Sequence, residues 1–486
     1  MTLLKLADVL AGTSGTLRGQ LAESTVFTRI ERDSRQVDSG CLFIAIRGER
    51  LEGHDFVDDA AANGATAALV SRRWADARAE SPLPLIVVDE PVAALQRLAR
   101  YRRASLDVKV VGVTGSVGKT SAKEAIARVL EGGFTTYRNP GNLNSEIGLP
   151  LSLLEIPDGT EVAVLEMGGA YAAGELALLA EIAQPAVGVV TNVYPVHLER
   201  MGSIEAIAET KAELITALDP DGIAVLNGDD PRVLAMGGRC KGRVLTFGLG
   251  AENDVRADSV TTAGLNGTSF WLTLAKERLF IKVPIVGGHA VQIALIAIAT
   301  GHALGMHISE MLGGLKDPGI QVRLLFLPGP NGSRLIDDTY NASTPSVLSA
   351  LGLLREIAPR RAIAVLGDMR ELGELSEAEH RIIGRRAAEV ADLVVTYGEL
   401  ALTIATEARS GGDGGGVDGP RADVQSFGTG QRQELVAYLR GELREGDVVL
   451  LKGSRGLMME EFVAALRVDG AAGSLPRDGQ APTGDS

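Results

Sequence analysis

Cysteine is nearly missing from this chain: Cys41 and Cys240 are the only two among 486 residues. Two thiols so far apart imply neither a disulfide framework nor a cysteine-rich metal site. Positive charge is in deficit as well, with 48 Lys and Arg against 62 Asp and Glu and a formal net charge of −14. That balance argues against a general binder of nucleic acid or of anionic membranes. It also makes each well-placed cation informative, because an acidic protein that takes a polyanionic substrate has to concentrate its positive charge locally. No stretch approaches the roughly 18 uninterrupted apolar residues of a membrane span. The start, MTLLKLADVLAG, lacks a basic segment followed by a sustained apolar one. The expectation is a cytoplasmic protein without membrane insertion. Repeats with a period of about 20–50 residues are absent too.

What is present centres on GVTGSVGKTSAKE, residues 112–124. An apolar run, Val108–Val113, precedes it, and Ala125, Ile126, Val129 and Leu130 follow at helical spacing. Strand, glycine-rich turn and helix in that order are the context of a phosphate-binding loop. Backbone N–H groups around Gly115, Ser116, Val117 and Gly118 can converge on an oxyanion. Lys119 adds a point charge for the terminal phosphates, and the Thr120 hydroxyl, with Ser121 beside it, can reach Mg²⁺. A strict Walker pattern has glycine where Val113 stands, so the loop departs from it at one position.

The rest of the chain alternates strand and helix signals, which predicts an α/β protein. We divide it into a small N-terminal α/β domain over 1–103, a central P-loop ATPase domain with a mostly parallel sheet over 104–318, a C-terminal Rossmann-like domain over 319–467 and a disordered tail over 468–486. The first carries short strand-like runs (Cys41–Ile46, Thr66–Val70, Leu85–Val88) and two local patterns, Asp33-Ser34-Arg35 and Gly53-His54-Asp55-Phe56. Both read as turns or helix caps. In the second, Glu161–Leu165 ends at Glu166 and Ala186–Thr191 ends at Asn192 with His197 close behind. Carboxylates and imidazoles just past parallel strand ends sit where such sheets bind ligands. Ile204, Ile207, Ala208, Leu214, Ile215 and Leu218 form one helical face with Lys211 in its middle. That lysine either snorkels, with its stem buried and its head wet, or points into the site as a desolvated amine. Residues 287–305 are an apolar helix too short for a bilayer. In the third domain strands end at Asp337-Asp338, Gly367-Asp368 and Lys452-Gly453-Ser454-Arg455, and Ser410–Gly419 reads as a flexible surface insertion.

Taken together, these motifs resemble the Mur ligase family over about residues 25 to 466. TGSVGKT with Lys123-Glu124 resembles its phosphate loop and Asn142–Pro150 its substrate-facing loop. Glu166-Met167-Gly168 and Asn192…His197-Leu198-Glu199 are similar to its metal and phosphate segments. Asp338-Thr339-Tyr340-Asn341-Ala342, Leu366–Met369 with Glu371-Leu372-Gly373, and Lys452–Arg455 resemble its third domain. The resemblance implies ATP-dependent amide-bond formation through an acyl phosphate, with the third domain closing over the site. The implied substrates are UDP-N-acetylmuramoyl-tripeptide and D-alanyl-D-alanine, and the chain is expected to act as a monomer.

Residue by residue, the resemblance assigns Lys119 to the β/γ-phosphates, Thr120 and Glu166 to Mg²⁺, and His197 to a second Mg²⁺. It makes Lys211 the lysine that reacts with CO₂ to give a metal-binding carbamate. Arg323, Asp338 and His289 are assigned to the nucleotide. Ser34 and Arg35 go to the uridine diphosphate end of the substrate, and Asn142, Asn144, Asn341, Lys452 and Ser454 to the rest of it. Two departures stand out. The family's nucleotide helix usually begins Gly-x-His-Asn with another Asn three residues on, where this chain has His289, Ala290 and Ile293; backbone or Gln292 contacts would have to substitute. Ser343-Thr344-Pro345 replaces the usual Asn-Pro-x. Two alternatives remain at this level: a Mur ligase adding the third amino acid, although that enzyme usually has Asn in place of Val117, and a nucleotide-binding regulator without turnover.

Overall fold

The computed structural model describes residues 4–48, 51–169, 172–317, 320, 324–358, 360–410 and 422–468. Arg323, most of the Ser410–Gly419 stretch and the tail past Val468 therefore lie outside the described residues. The chain divides into two compact units. One runs to Thr261 and takes in Ser269–Pro284 and Ala290–Ile320; the other comprises Thr262–Thr268, Ile285–His289 and the chain from Gln321 onward.

The first unit holds two large sheets. The smaller has five strands in the order Thr16–Arg18, Leu85–Val88, Ala67–Ser71, Cys41–Ile44, Arg29–Glu31. Only the first pair is antiparallel. The larger has nine, in the order Glu277–Val283, Thr268–Leu274, Val255–Thr262, Arg243–Gly248, Ile223–Asn227, Val187–Val190, Lys109–Thr114, Val162–Glu166, Thr136–Arg138. From Val255–Thr262 to Thr136–Arg138 every neighbouring pair is parallel. These parallel strands are near-continuous runs of Val, Ile, Leu and Ala, as expected where helices cover both faces. One apolar core joins the two sheets through the helices Pro91–Ser105 and Gly148–Leu154. Arg102 and Arg103 pin the first of these helices, to Asp158 (2.6 Å) and to the Ala183 carbonyl (2.7 Å).

Connectivity decides where ligands can bind. From Lys109–Thr114 the chain skips a place to Thr136–Arg138 at the edge, returns to Val162–Glu166, then crosses to Val187–Val190 on the other side. The order reverses about Lys109–Thr114, so the crevice beyond its C-terminal end is the topological switch point. The helix Ile204–Thr216 lies close over this sheet because glycines face it. A Cβ on Gly112 would sit about 3.1 Å from Leu214, and one on Gly188 3.2–3.3 Å from Ile215, Leu214 and Leu218.

The second unit has six strands, in the order Leu325–Pro328, Arg334–Asp337, Asp447–Lys452, Arg361–Gly367, Leu393–Tyr397, Asp423–Phe427. All pairs but the first are parallel. The last strand in sequence inserts between the second and fourth in space. The ends at Asp337, Lys452 and Gly367 therefore meet at a switch point of their own.

Candidate active site

The phosphate loop leaves the buried strand Lys109–Thr114 and enters the helix Lys119–Leu130 with Gly118 as its N-cap, at φ 82°. It is braced from the neighbouring strand end. The Asn192 side chain accepts from Val117 N–H (2.9 Å) and donates to Val117 O (3.0 Å). Thr191 Oγ1 donates to the same carbonyl at 2.8 Å. Ser116 N–H donates to Asn192 O at 3.0 Å, while the Ser116 hydroxyl accepts from Tyr194 N–H at 2.9 Å. Lys119 Nζ lies across the loop, donating to Gly115 O (2.7 Å) and Ser116 O (3.2 Å). Ser121 is buried in the first turn of the helix.

On the other side stands Glu166, buried, the last residue of its strand. Its Oε2 accepts from Thr120 Oγ1 at 2.9 Å and its Oε1 from Asn144 Nδ2 at 2.8 Å. Asn144 lies on the loop between Thr136–Arg138 and Gly148–Leu154 and also accepts, through its carbonyl, from Gly168 N–H at 2.7 Å. Asn142 precedes it on the same loop and is exposed. His197 is half-buried, adopts φ 56° and opens the short helix Leu198–Met201 just beyond the bracing residues 191–194.

Lys211 does not snorkel. It is 4 % exposed, and its Nζ donates to Gly169 O at 3.2 Å, three residues past Glu166. Burial, with a further contribution from the Lys119 ammonium, pushes it down to about 7. A neutral amine is therefore available near physiological pH. Thr120 and Glu166 thus meet beyond the strand ends at the switch point, and Lys211 is held by the chain three residues past Glu166.

The oxygen donors fit Mg²⁺. Thr120 and Glu166 supply a hydroxyl and a carboxylate at a phosphate loop. Among the described residues there is no ready-made cluster of three or more His, Cys, Asp or Glu. Mg²⁺ usually takes one or two carboxylates plus waters and substrate phosphates rather than an all-protein cage.

Asp33 caps a short turn at Ser34–Gln36 and pairs with the exposed Arg35 at 2.7 Å, while Ser34 is buried. His54 bridges Glu52 Oε1 (2.6 Å) and Ser71 N–H (3.0 Å) and is satisfied within its own turn and the neighbouring strand end. In the second unit Lys452, 2 % exposed, bonds to Asp338 Oδ2 at 2.6 Å and to Asn341 O at 2.9 Å. His289 is half-buried, with Nδ1 3.3 Å from Ser349 Oγ. Ser454 Oγ accepts from Arg370 N–H at 2.8 Å. The apolar helix runs Ala290–Ala303, with Ala290 and Ile293 buried in the core and Gln292 Nε2 held by Asp229 Oδ2 at 3.0 Å.

Sequence reasoning missed two buried side chains. Asn139 accepts Glu166 N–H at 2.8 Å and holds Leu143 O at 2.8 Å. His380 accepts Met369 N–H at Nε2 (3.0 Å) and donates from Nδ1 to Ser376 O (2.6 Å), which fixes a neutral tautomer. In sequence, an Asn before Pro-Gly reads as an ordinary turn, and a helical His gives no signal. Burial pushes the His380 imidazole below its ordinary value. Its contribution to stability is present above about 6.5 and is lost as pH falls through the depressed folded value. Thermal midpoints measured from pH 7.5 to 5 should fall, with a shallower slope in H380Q.

Family models match over three segments: the Mur ligase middle domain at residues 113–301, the Mur ligase glutamate ligase domain at 322–455 and the Mur ligase family catalytic domain at 26–103. The chain is 36 % identical over 457 residues to the UDP-N-acetylmuramoyl-tripeptide–D-alanyl-D-alanine ligase of Bacillus subtilis, covering 93 % of this chain and 96 % of that one. It superposes on a crystal structure of MurF from Acinetobacter baumannii with TM-score 0.82 at 29 % identity, covering 95 % and 98 % of the two chains. A MurF ligase structure from Thermotoga maritima in complex with ADP gives 0.75 at 31 %, covering 90 % and 96 %.

Proposed function

This chain belongs to the Mur ligase family, and we propose that it is the ATP-dependent ligase joining D-alanyl-D-alanine to UDP-N-acetylmuramoyl-tripeptide in peptidoglycan synthesis, acting in the cytoplasm. The observation that carries the reading is near full-length likeness to ligases of that activity, around a phosphate loop flanked by Glu166 and Lys211. No helix among the described residues is long and apolar enough to cross a membrane.

A carboxylate is a poor acyl donor because its oxygen is a poor leaving group. Transfer of the γ-phosphoryl group to the tripeptide carboxylate forms a P–O bond, breaks the β–γ linkage and releases ADP. The amine of D-alanyl-D-alanine then attacks the acyl phosphate, an amide forms and phosphate leaves. The obstacle is the approach of two anions, which repel by about 4 kcal/mol at ~4 Å in an effective dielectric near 20. Lys119 and the loop N–H groups bear on that repulsion directly. Bound Mg²⁺ would supply further neutralisation of the triphosphate, held by Thr120 and Glu166, with His197 and a Lys211 carbamate for a second ion. Arg323, Asp338 and His289 are proposed for the nucleotide, with Ser34, Arg35, Asn142, Asn144, Asn341, Lys452 and Ser454 for the UDP-peptide.

The test is ADP release with ATP and UDP-N-acetylmuramoyl-tripeptide, with and without D-alanyl-D-alanine, and with single amino acids as competing acceptors. Turnover that requires the dipeptide is expected. Turnover indifferent to it removes the assignment.

A further inference from the structure

Lys123 has no role in the chemistry just described, yet it is completely buried beside the site. Its three N–H donors have three acceptors: Asn139 O at 2.6 Å, Gly141 O at 3.4 Å and Glu124 Oε1 at 3.2 Å. Glu124 is held in turn by Arg138 Nε at 2.8 Å. A buried cation is tolerated only when so fully partnered, and removing one side of such a set leaves the rest uncompensated. The two carbonyls belong to the first turn of the loop that leads to Asn144. That loop grips the end of the Val162–Glu166 strand through Asn139, whose side chain accepts Glu166 N–H and donates to Leu143 O (2.8 Å) and Glu166 O (3.2 Å). Asn144 completes the grip on the carboxylate itself.

We propose that Lys123 is a positioning residue: it fixes the 139–144 loop against the strand end and so sets the direction in which Glu166 and Asn144 are presented. The connection is covalent and hydrogen-bonded throughout, from Lys123 to Asn139 to the Glu166 amide, and Lys123 itself does not contact the carboxylate. The proposal deepens the reading of Glu166 as a ligand of Mg²⁺ and rests on it for its kinetic consequence. The placement of the loop rests on the hydrogen bonds alone.

The test uses full-length K123M, K123R and E166Q. In K123M the half-saturating Mg²⁺ concentration for ADP release should rise about tenfold, the lower end for residues that orient metal ligands. KM for D-alanyl-D-alanine should stay within about twofold, and K123R should recover part of the loss. Hydrogen–deuterium exchange at the Glu166 amide and across residues 139–148 should accelerate in K123M. Unchanged Mg²⁺ dependence together with unchanged exchange overturns the proposal. If E166Q also leaves Mg²⁺ dependence untouched, the reading of Glu166 fails, and exchange alone decides on Lys123: faster supports it, unchanged overturns it. If K123M does not fold, K123R is judged in its place, with a smaller shift in the same direction expected and none overturning.

Discussion

Replacing Lys211 by alanine is expected to lower turnover by about 10²–10³-fold, the usual cost of losing a preorganised electrostatic group, while ADP still binds. The amine is buried and pushed down to about 7 by desolvation and by the Lys119 ammonium. Under the proposed modification the neutral amine forms an N–C bond to CO₂ and releases one proton, giving a carbamate. A site that disfavours a second cation beside Lys119 would thereby gain an anion for metal to pair. The sign of the pH dependence follows from the depressed value. Below about 7 the amine is protonated and cannot react, so wild-type activity should fall on acidification and respond to added bicarbonate. K211A should show neither response. K211R keeps a positive charge but cannot form the carbamate, and it should be as slow as K211A. ADP release measured across pH, with and without bicarbonate, checks all of this, and ADP binding by calorimetry separates loss of chemistry from loss of the fold. Full turnover in K211A would end the carbamate proposal.

Lys211 also marks the boundary of what sequence could say. Helical spacing placed it on an apolar face, but a lysine stem can lie on such a face with its head in water. The choice is made by close packing against Gly112 and Gly188, which belong to strands read separately from the helix. Glu166 and the loop were legible because the one ends and the other follows a short apolar run, the pattern of a strand buried on both faces of a parallel sheet. The strands Val255–Thr262, Thr268–Leu274 and Glu277–Val283 were not anticipated. They lie toward the sheet edge, and their partly exposed residues dilute the apolar runs. The pairing of Lys452 with Asp338, 114 residues apart, depends on a late strand inserting between two earlier ones. Such non-local order leaves no trace in local spacing.

The second large effect is expected in the phosphate loop, where two glycines that look alike in sequence should behave differently. At Gly115, φ is 145° and an added Cβ would overlap the Thr191 hydroxyl, the group that holds Val117 O at 2.8 Å. G115A therefore has to move either the loop or Thr191, and the bracing by Asn192 goes with it. A displacement of about 1 Å at reacting groups is enough for a loss of about 10²-fold in turnover, and the loop N–H groups that would face the phosphates move too. At Gly118, φ is 82° but nothing stands within 4 Å of an added Cβ. G118A then meets no protein atom and bears the cost of a left-handed alanine, about 1–2 kcal/mol, which appears as a lower melting temperature with a smaller loss of activity than in G115A. ADP affinity by calorimetry, ADP release and thermal midpoints for the two variants make the comparison. Equal losses of activity in both would mean that backbone conformation alone governs the loop; a larger loss in G115A would show that Thr191 sets where the loop lies.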